Sequence, residues 1–133
     1  MKLLVLATDP IDAGAVREAL GDDAVEGAEV LVISPAVNES PLAFWMSDSD
    51  EAIIDAESTA RETAEALSAA GARTEAKAGD SEPLVALQDA LATYPADRVL
   101  IFARDDESAR YREDDVFGEA QRRFGVPVTE IPR

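Results

Sequence analysis

The strongest constraint on this chain is a set of short apolar runs, each followed by a stretch with helical periodicity. Residues 2 to 7, Val30-Leu31-Val32-Ile33 and Val99-Leu100-Ile101-Phe102 have the length of strands. Between them the apolar residues recur at the period of a helix. Pro10 suits a first turn, with Thr8 or Asp9 as cap, and Ala13, Val16, Ala19 and Leu20 form an inward face that stops at Gly21. Ser47 to Ser49 precede a long helix with Ile53, Ala56, Ala60, Ala64 and Leu67 on one side, closing at Gly71. Residues 72 to 78 alternate like a half-buried edge strand. Gly79-Asp80-Ser81 leads into a helix with Pro83 in its first turn and Leu84, Leu87 and Leu91 inward. A last helix carries Phe117, Ala120 and Phe124 and ends at Gly125, and residues 126 to 131 return as a fifth strand whose Pro127 suits a strand start or an edge.

This β-α-β-α-β-α-β-α-β order predicts one α/β domain over residues 1–133, a parallel sheet covered on both faces with right-handed crossovers. In such sheets ligands bind beyond the carboxyl ends of the strands, where the strand order reverses. Thr8, Asp9, Ser34, Pro35 and residues 103 to 106 are therefore expected around one crevice.

Composition removes much of the chemistry available to that crevice. The chain has no cysteine and no histidine, so thiolate nucleophiles, Cys-type zinc sites, Ser-His-Asp triads and imidazole acid–base catalysis are all excluded. It carries 28 acidic against 12 basic residues, a formal net charge of -16, and the only lysines are Lys2 and Lys77. Such a field disfavours nucleic acid and anionic membrane, which are held by cationic side chains. An acidic, lysine-poor, arginine-retaining surface resembles the cytoplasmic proteins of halophiles that accumulate salt, the plainer reading being an ordinary acidic protein. The apolar start is too short for a membrane span and lacks a small-residue cleavage site, so it reads as the first strand of a cytoplasmic protein.

Several features together resemble the universal stress protein family, within the adenine-nucleotide alpha hydrolase-like group. They are the first strand ending in Thr8-Asp9, the long helix after strand two, Gly79-Asp80 before an amphipathic helix, a strand near residue 100, and Phe124-Gly125-Val126-Pro127-Val128. The resemblance covers nearly the whole chain. It is nearer to a divergent branch in which a loop like Pro35-Ala36-Val37-Asn38 leads to an aromatic and then Ser47-Asp48-Ser49-Asp50. The resemblance implies a Rossmann-like three-layer α/β/α sandwich on a five-stranded parallel sheet of order 3-2-1-4-5. It also implies ATP or AMP held by an acid after strand one (Asp9), by backbone groups after strand two (Ile33 or Ser34) and by a glycine loop after strand four.

That last loop departs from the family pattern. Gly118 is the sole glycine between Gly79 and Gly125, and residues 104 to 115 hold six acids and three arginines where a triphosphate would sit. Glycines serve there because backbone amides must approach phosphates without a Cβ in the way. Arg104, Arg110 or Arg112 could instead offer a bidentate fork. The expected ligand-binding set is Thr8, Asp9, Ile33, Ser34, Ala103, Arg104 and Arg110, with no catalytic residue and no metal. Asp9 serves either a ribose or cation or simply as a helix cap. Phe44-Trp45-Met46, with Tyr111, forms either a lid or an interface to the chain's own fold or a dimer partner. The acids Asp48, Asp50, Glu51 and Asp55 lack the glycine and final glutamate of a calcium loop and suit a solvated helix N-terminus. The pairs Asp105-Asp106 and Asp114-Asp115 offer acid and base, but exposed acidic pairs abound in this chain. Two functions are expected to compete: a non-enzymatic, nucleotide-responsive binding module with a degenerate ATP loop, and a structural or regulatory homodimer that has lost its ligand and meets its partner through the fifth strand or the Phe44-Trp45-Met46 loop. An enzyme of nucleotide chemistry anchored on Asp9 ranks behind both.

Overall fold

A strand that is apolar on both faces needs a cover on both, and this requirement organises the molecule. The structure is a computed structural model that describes residues 2–20, 25–36, 49–80, 82–103 and 115–132. Its elements in chain order are β1 (Lys2–Ala7), α1 (Ala13–Leu20), β2 (Glu29–Pro35), α2 (Ser49–Ala69), β3 (Arg73–Gly79), α3 (Pro83–Thr93), β4 (Arg98–Ala103), α4 (Val116–Phe124) and β5 (Val128–Pro132). All neighbouring strands are parallel and the sheet order is β3-β2-β1-β4-β5, the expected order. The chain is thus a Rossmann-like α/β sandwich.

The period of two along each strand sorts the apolar residues into two cores. Leu3, Val5, Val30, Val32, Leu100 and Phe102 face Val16 of α1 and Ala60, Ala64 and Leu67 of α2. Leu4, Leu6, Leu31, Ile33, Val99 and Ile101 face Ala86, Leu87 and Ala90 of α3 and Val116 and Ala120 of α4. Register locks the two together, since Leu4 pairs with Leu31 on one side and with Val99 on the other. Full burial of each leucine or valine contributes about 1.5–3 kcal/mol, so these central strands dominate the stability.

Two boundaries differ from the sequence expectation. α1 begins at Ala13, not near Pro10, and its cap is Asp12, whose Oδ1 accepts the Ala15 N–H at 2.9 Å. The preceding turn is held otherwise, because the Ile11 N–H donates to Thr63 Oγ1 of α2 at 2.9 Å. With Ile11 tied to α2, the next acid starts the helix, and Thr8 and Asp9 stay in the loop. β5 begins at Val128, after Pro127, whose carbonyl accepts the Val99 N–H at 2.9 Å. The expected end of α4 holds: Gly125 closes it in the left-handed region at φ 66, with its N–H on Gln121 C=O. Gly79 is needed for a different reason, close approach. A Cβ there would lie 2.5 Å from Ile33 Cγ2 and 3.2 Å from Ala86 Cβ.

Candidate functional site

The chain leaves β1 and β4 toward opposite faces of the sheet, β1 into α1 and β4 toward α4, so a crevice opens between their carboxyl ends. Ala7 is in register with Phe102, and Leu6 with Ile33. Ala7 and Phe102 therefore lie side by side on adjacent strands about 4.8 Å apart, Thr8 and Ala103 follow them at the carboxyl ends, and Ser34 lies near the end of the next strand. The structure brings together four of the expected residues in this way: Thr8, Asp9, Ser34 and Ala103. Thr8 and Asp9 are half-buried in the loop after β1. Arg104, Arg110, Phe44, Trp45, Met46 and Tyr111, like Gly21, Ser47 and Asp48, lie outside the described residues.

Ile33 and Ser34 are adjacent but face opposite ways. Ile33 is 3% exposed and belongs to the core under α3, pressed against Gly79. Its backbone lies within the sheet, between Leu6 of β1 and Lys77 of β3. Ser34, at 1% exposure, is one of two fully buried polar side chains among the described residues. Its Oγ is sealed from solvent and has no hydrogen-bond partner among the described residues. A buried hydroxyl in that condition costs about 1–3 kcal/mol relative to a satisfied one. The other buried polar residue, Thr63, is satisfied by the Ile11 N–H and thereby fixes the loop carrying Thr8 and Asp9. Thr63 is a residue beside the candidate site that the sequence expectation omitted. The available signal was its position, a hydroxyl set between Ala60 and Leu67 in the alanine stripe of α2.

Charge around the crevice is anionic. Beside the loop after β1, a cleft of about 320 Å³ is lined, among the described residues, by Pro10, Ile11, Asp12, Ala15, Glu62 and Ala66, which bring two carboxylates and no cation. A larger groove of about 420 Å³ runs along β3, where Lys77 sits among Glu57, Asp80 and Asp89. Among the described residues no three metal-ligating side chains converge on a common point. At α4, Arg122 binds Asp115 at 2.7 Å and Glu119 at 2.9 Å, and Arg123 binds Glu119 at 2.8 Å. Hydrogen bonds from Arg122 and then Arg123 hold the Glu119 carboxyl below the usual carboxylate range. Those two arginines are thus engaged within their own helix.

The opposite, amino end of the sheet holds the clearest perturbed group. Tyr94 has its hydroxyl oxygen sealed from solvent without a hydrogen-bond partner, and its pKa is pushed up to about 12 by burial and then by Glu29, Glu75 and Asp97. Lys2 Nζ lies 5.7 Å from the Tyr94 ring centroid and 3.9 Å from Glu29. This cluster is separated from the crevice by the full length of the strands and serves the amino end of the sheet.

Fold and crevice define an α/β protein of the Rossmann-like class. Neither a family model nor a curated protein matches the sequence.

Proposed function

We propose that this chain is a universal stress protein-like binding and regulatory domain that works without catalytic turnover and takes a small ligand of the adenine-nucleotide class, ATP or AMP, weakly. The observation that carries the reading is Ser34: a sealed hydroxyl without a partner at the carboxyl end of β2, next to the strand that delivers Thr8 and Asp9. Buried polar groups are almost always satisfied, so this hydroxyl calls for a partner, a ligand atom or an ordered water. The anionic lining and the missing glycines argue for weak binding, with any phosphate grip supplied by arginine in residues 104 to 112. The composition supports a cytoplasmic, salt-adapted protein, and a homodimer is part of the proposal.

The second reading, a homodimer that has lost its ligand, is favoured by the six acids in residues 104 to 115. Calorimetry with ATP and AMP in molar KCl separates the two, with Asp9→Ala and Ser34→Ala as variants. Micromolar to sub-millimolar binding that both variants weaken supports the binding module. No heat up to millimolar nucleotide, from a folded protein, rejects it and leaves the ligand-free dimer.

A further inference from the structure

The long free edge of the sheet belongs to β3, and two backbone bonds reveal which way its peptides face. At one end the Arg73 N–H donates to Ala28 C=O at 2.8 Å, and at the other Ala36 N–H donates to Gly79 C=O at 3.0 Å. Peptide groups alternate sides along a strand, so residues 73, 75, 77 and 79 turn theirs toward β2. Thr74, Ala76 and Ala78 turn theirs outward, and no described strand pairs with them. Glu75, Ala76 and Lys77 are exposed. The other edge is blunter. The Val99 N–H on Pro127 C=O leaves residues 128, 130 and 132 of β5 facing out, and residue 132 is proline, without an N–H to give.

We propose that two copies of this chain associate through their β3 edges, antiparallel about a two-fold axis at Ala76. Ala76 is the midpoint of Arg73–Gly79, so this register overlaps the whole strand. Ala76 then faces Ala76 of the second copy, and Thr74 faces Ala78, each pair exchanging backbone hydrogen bonds. Between them, in the closer non-hydrogen-bonded positions, Glu75 faces Lys77 in both directions. The strand is charge-complementary to itself about its own centre, and that points to a second copy as the occupant. An axis at Glu75 would instead oppose two glutamates, and set Arg73 against Lys77.

Packing on the helix side agrees. α2 lies over β3 and, less closely, over β2. With strands about 4.8 Å apart, joining the edges sets the two α2 axes at most about 10 Å apart, so the two helices must pack directly against each other across the axis. Ile53 and Ile54, 40% and 63% exposed, are two of the three exposed large hydrophobics among the described residues, and both lie on α2. Ile53 shares the groove along β3 with Lys77, Ala78 and Gly79. Pairing therefore extends the sheet and offers cover to apolar surface on the helix above it.

This interface rests on the homodimer part of the proposed function and is independent of any ligand. The test is sedimentation of wild type, Glu75→Lys, Lys77→Glu and the double swap in molar KCl, with circular dichroism to confirm folding. Each single change turns two opposite-charge pairs into like-charge pairs and should weaken the dimer about tenfold, whereas the double swap should restore it to within about threefold. In a chain with no native cysteine, Ala76→Cys should oxidise to a covalent dimer, since the facing Cα atoms would lie about 5.5 Å apart. A monomeric wild type overturns both the interface and the homodimer reading. A wild-type dimer indifferent to the charge changes and to Ala76→Cys overturns the β3 interface alone.

Discussion

At the scale of single residues, three hydroxyls carry most of what is distinctive. Thr63 satisfies a buried backbone N–H, and Thr63→Val keeps the shape while leaving the Ile11 N–H without its acceptor. That change should destabilise the protein by about 1–3 kcal/mol in urea unfolding, and weaken nucleotide binding through the loop bearing Asp9. An unchanged midpoint would show that the bond contributes nothing. Tyr94 is the opposite case, a phenol held neutral. Its folded pKa of about 12 lies above its ordinary value of 10.0, so the folded state retains the proton longer than the unfolded one. The stabilisation is fully present below pH 10 and is lost as pH rises toward 12. Tyr94→Phe should flatten the loss of stability across that alkaline window, measured by urea unfolding at stepped pH, with little effect at neutral pH. Ser34 is the third, and its sealed hydroxyl is the reason it figures in the proposed binding site.

At the scale of elements, packing distance governs how β2, β3 and α3 meet. Gly79 ends β3 where Ile33 and Ala86 converge, and even one methyl would fall within 2.5 Å of Ile33 Cγ2. Gly79→Ala should therefore cost about 1–3 kcal/mol and shift the thermal midpoint down, because both neighbours are anchored in the core and must move. A variant as stable as wild type would mean that Ile33 on β2, the closer neighbour, can shift without cost, with α3 yielding slightly. The same residue was visible in the sequence as the end of a strand. Its close contacts were not, since they join residues 33, 79 and 86 from three separate elements.

At the scale of the molecule, the opposing terms are a well-filled pair of cores and a net charge of -16. Like charges distributed over a small domain destabilise its compact state, and salt screens them, the Debye length falling from about 10 Å at 0.1 M to about 3 Å at 1 M. Stability to urea should rise from low salt to molar KCl, and self-association should strengthen in parallel because two copies repel less. A flat or falling dependence would show that net repulsion is not the controlling term.

The sequence by itself determined the sheet. Apolar runs at 3 to 7, 30 to 33 and 99 to 102 can be satisfied only where both faces are covered, and the helical periods between them supply the covers. It also carried the edge character of β3 and the glycine stop of α4, because exposure and backbone conformation leave local marks. The start of α1 was decided by tertiary structure: Thr63, more than fifty residues away, captures the Ile11 N–H, and the cap passes from the expected Thr8 or Asp9 to Asp12. Tertiary structure likewise buried Ser34 without a partner among the described residues and raised the pKa of Tyr94, first by burial and then with carboxylates from β2, β3 and the turn before β4. Patterns of burial repeat along a chain and can be read from it, whereas a hydrogen bond or a field between distant residues exists only once the chain has brought them together.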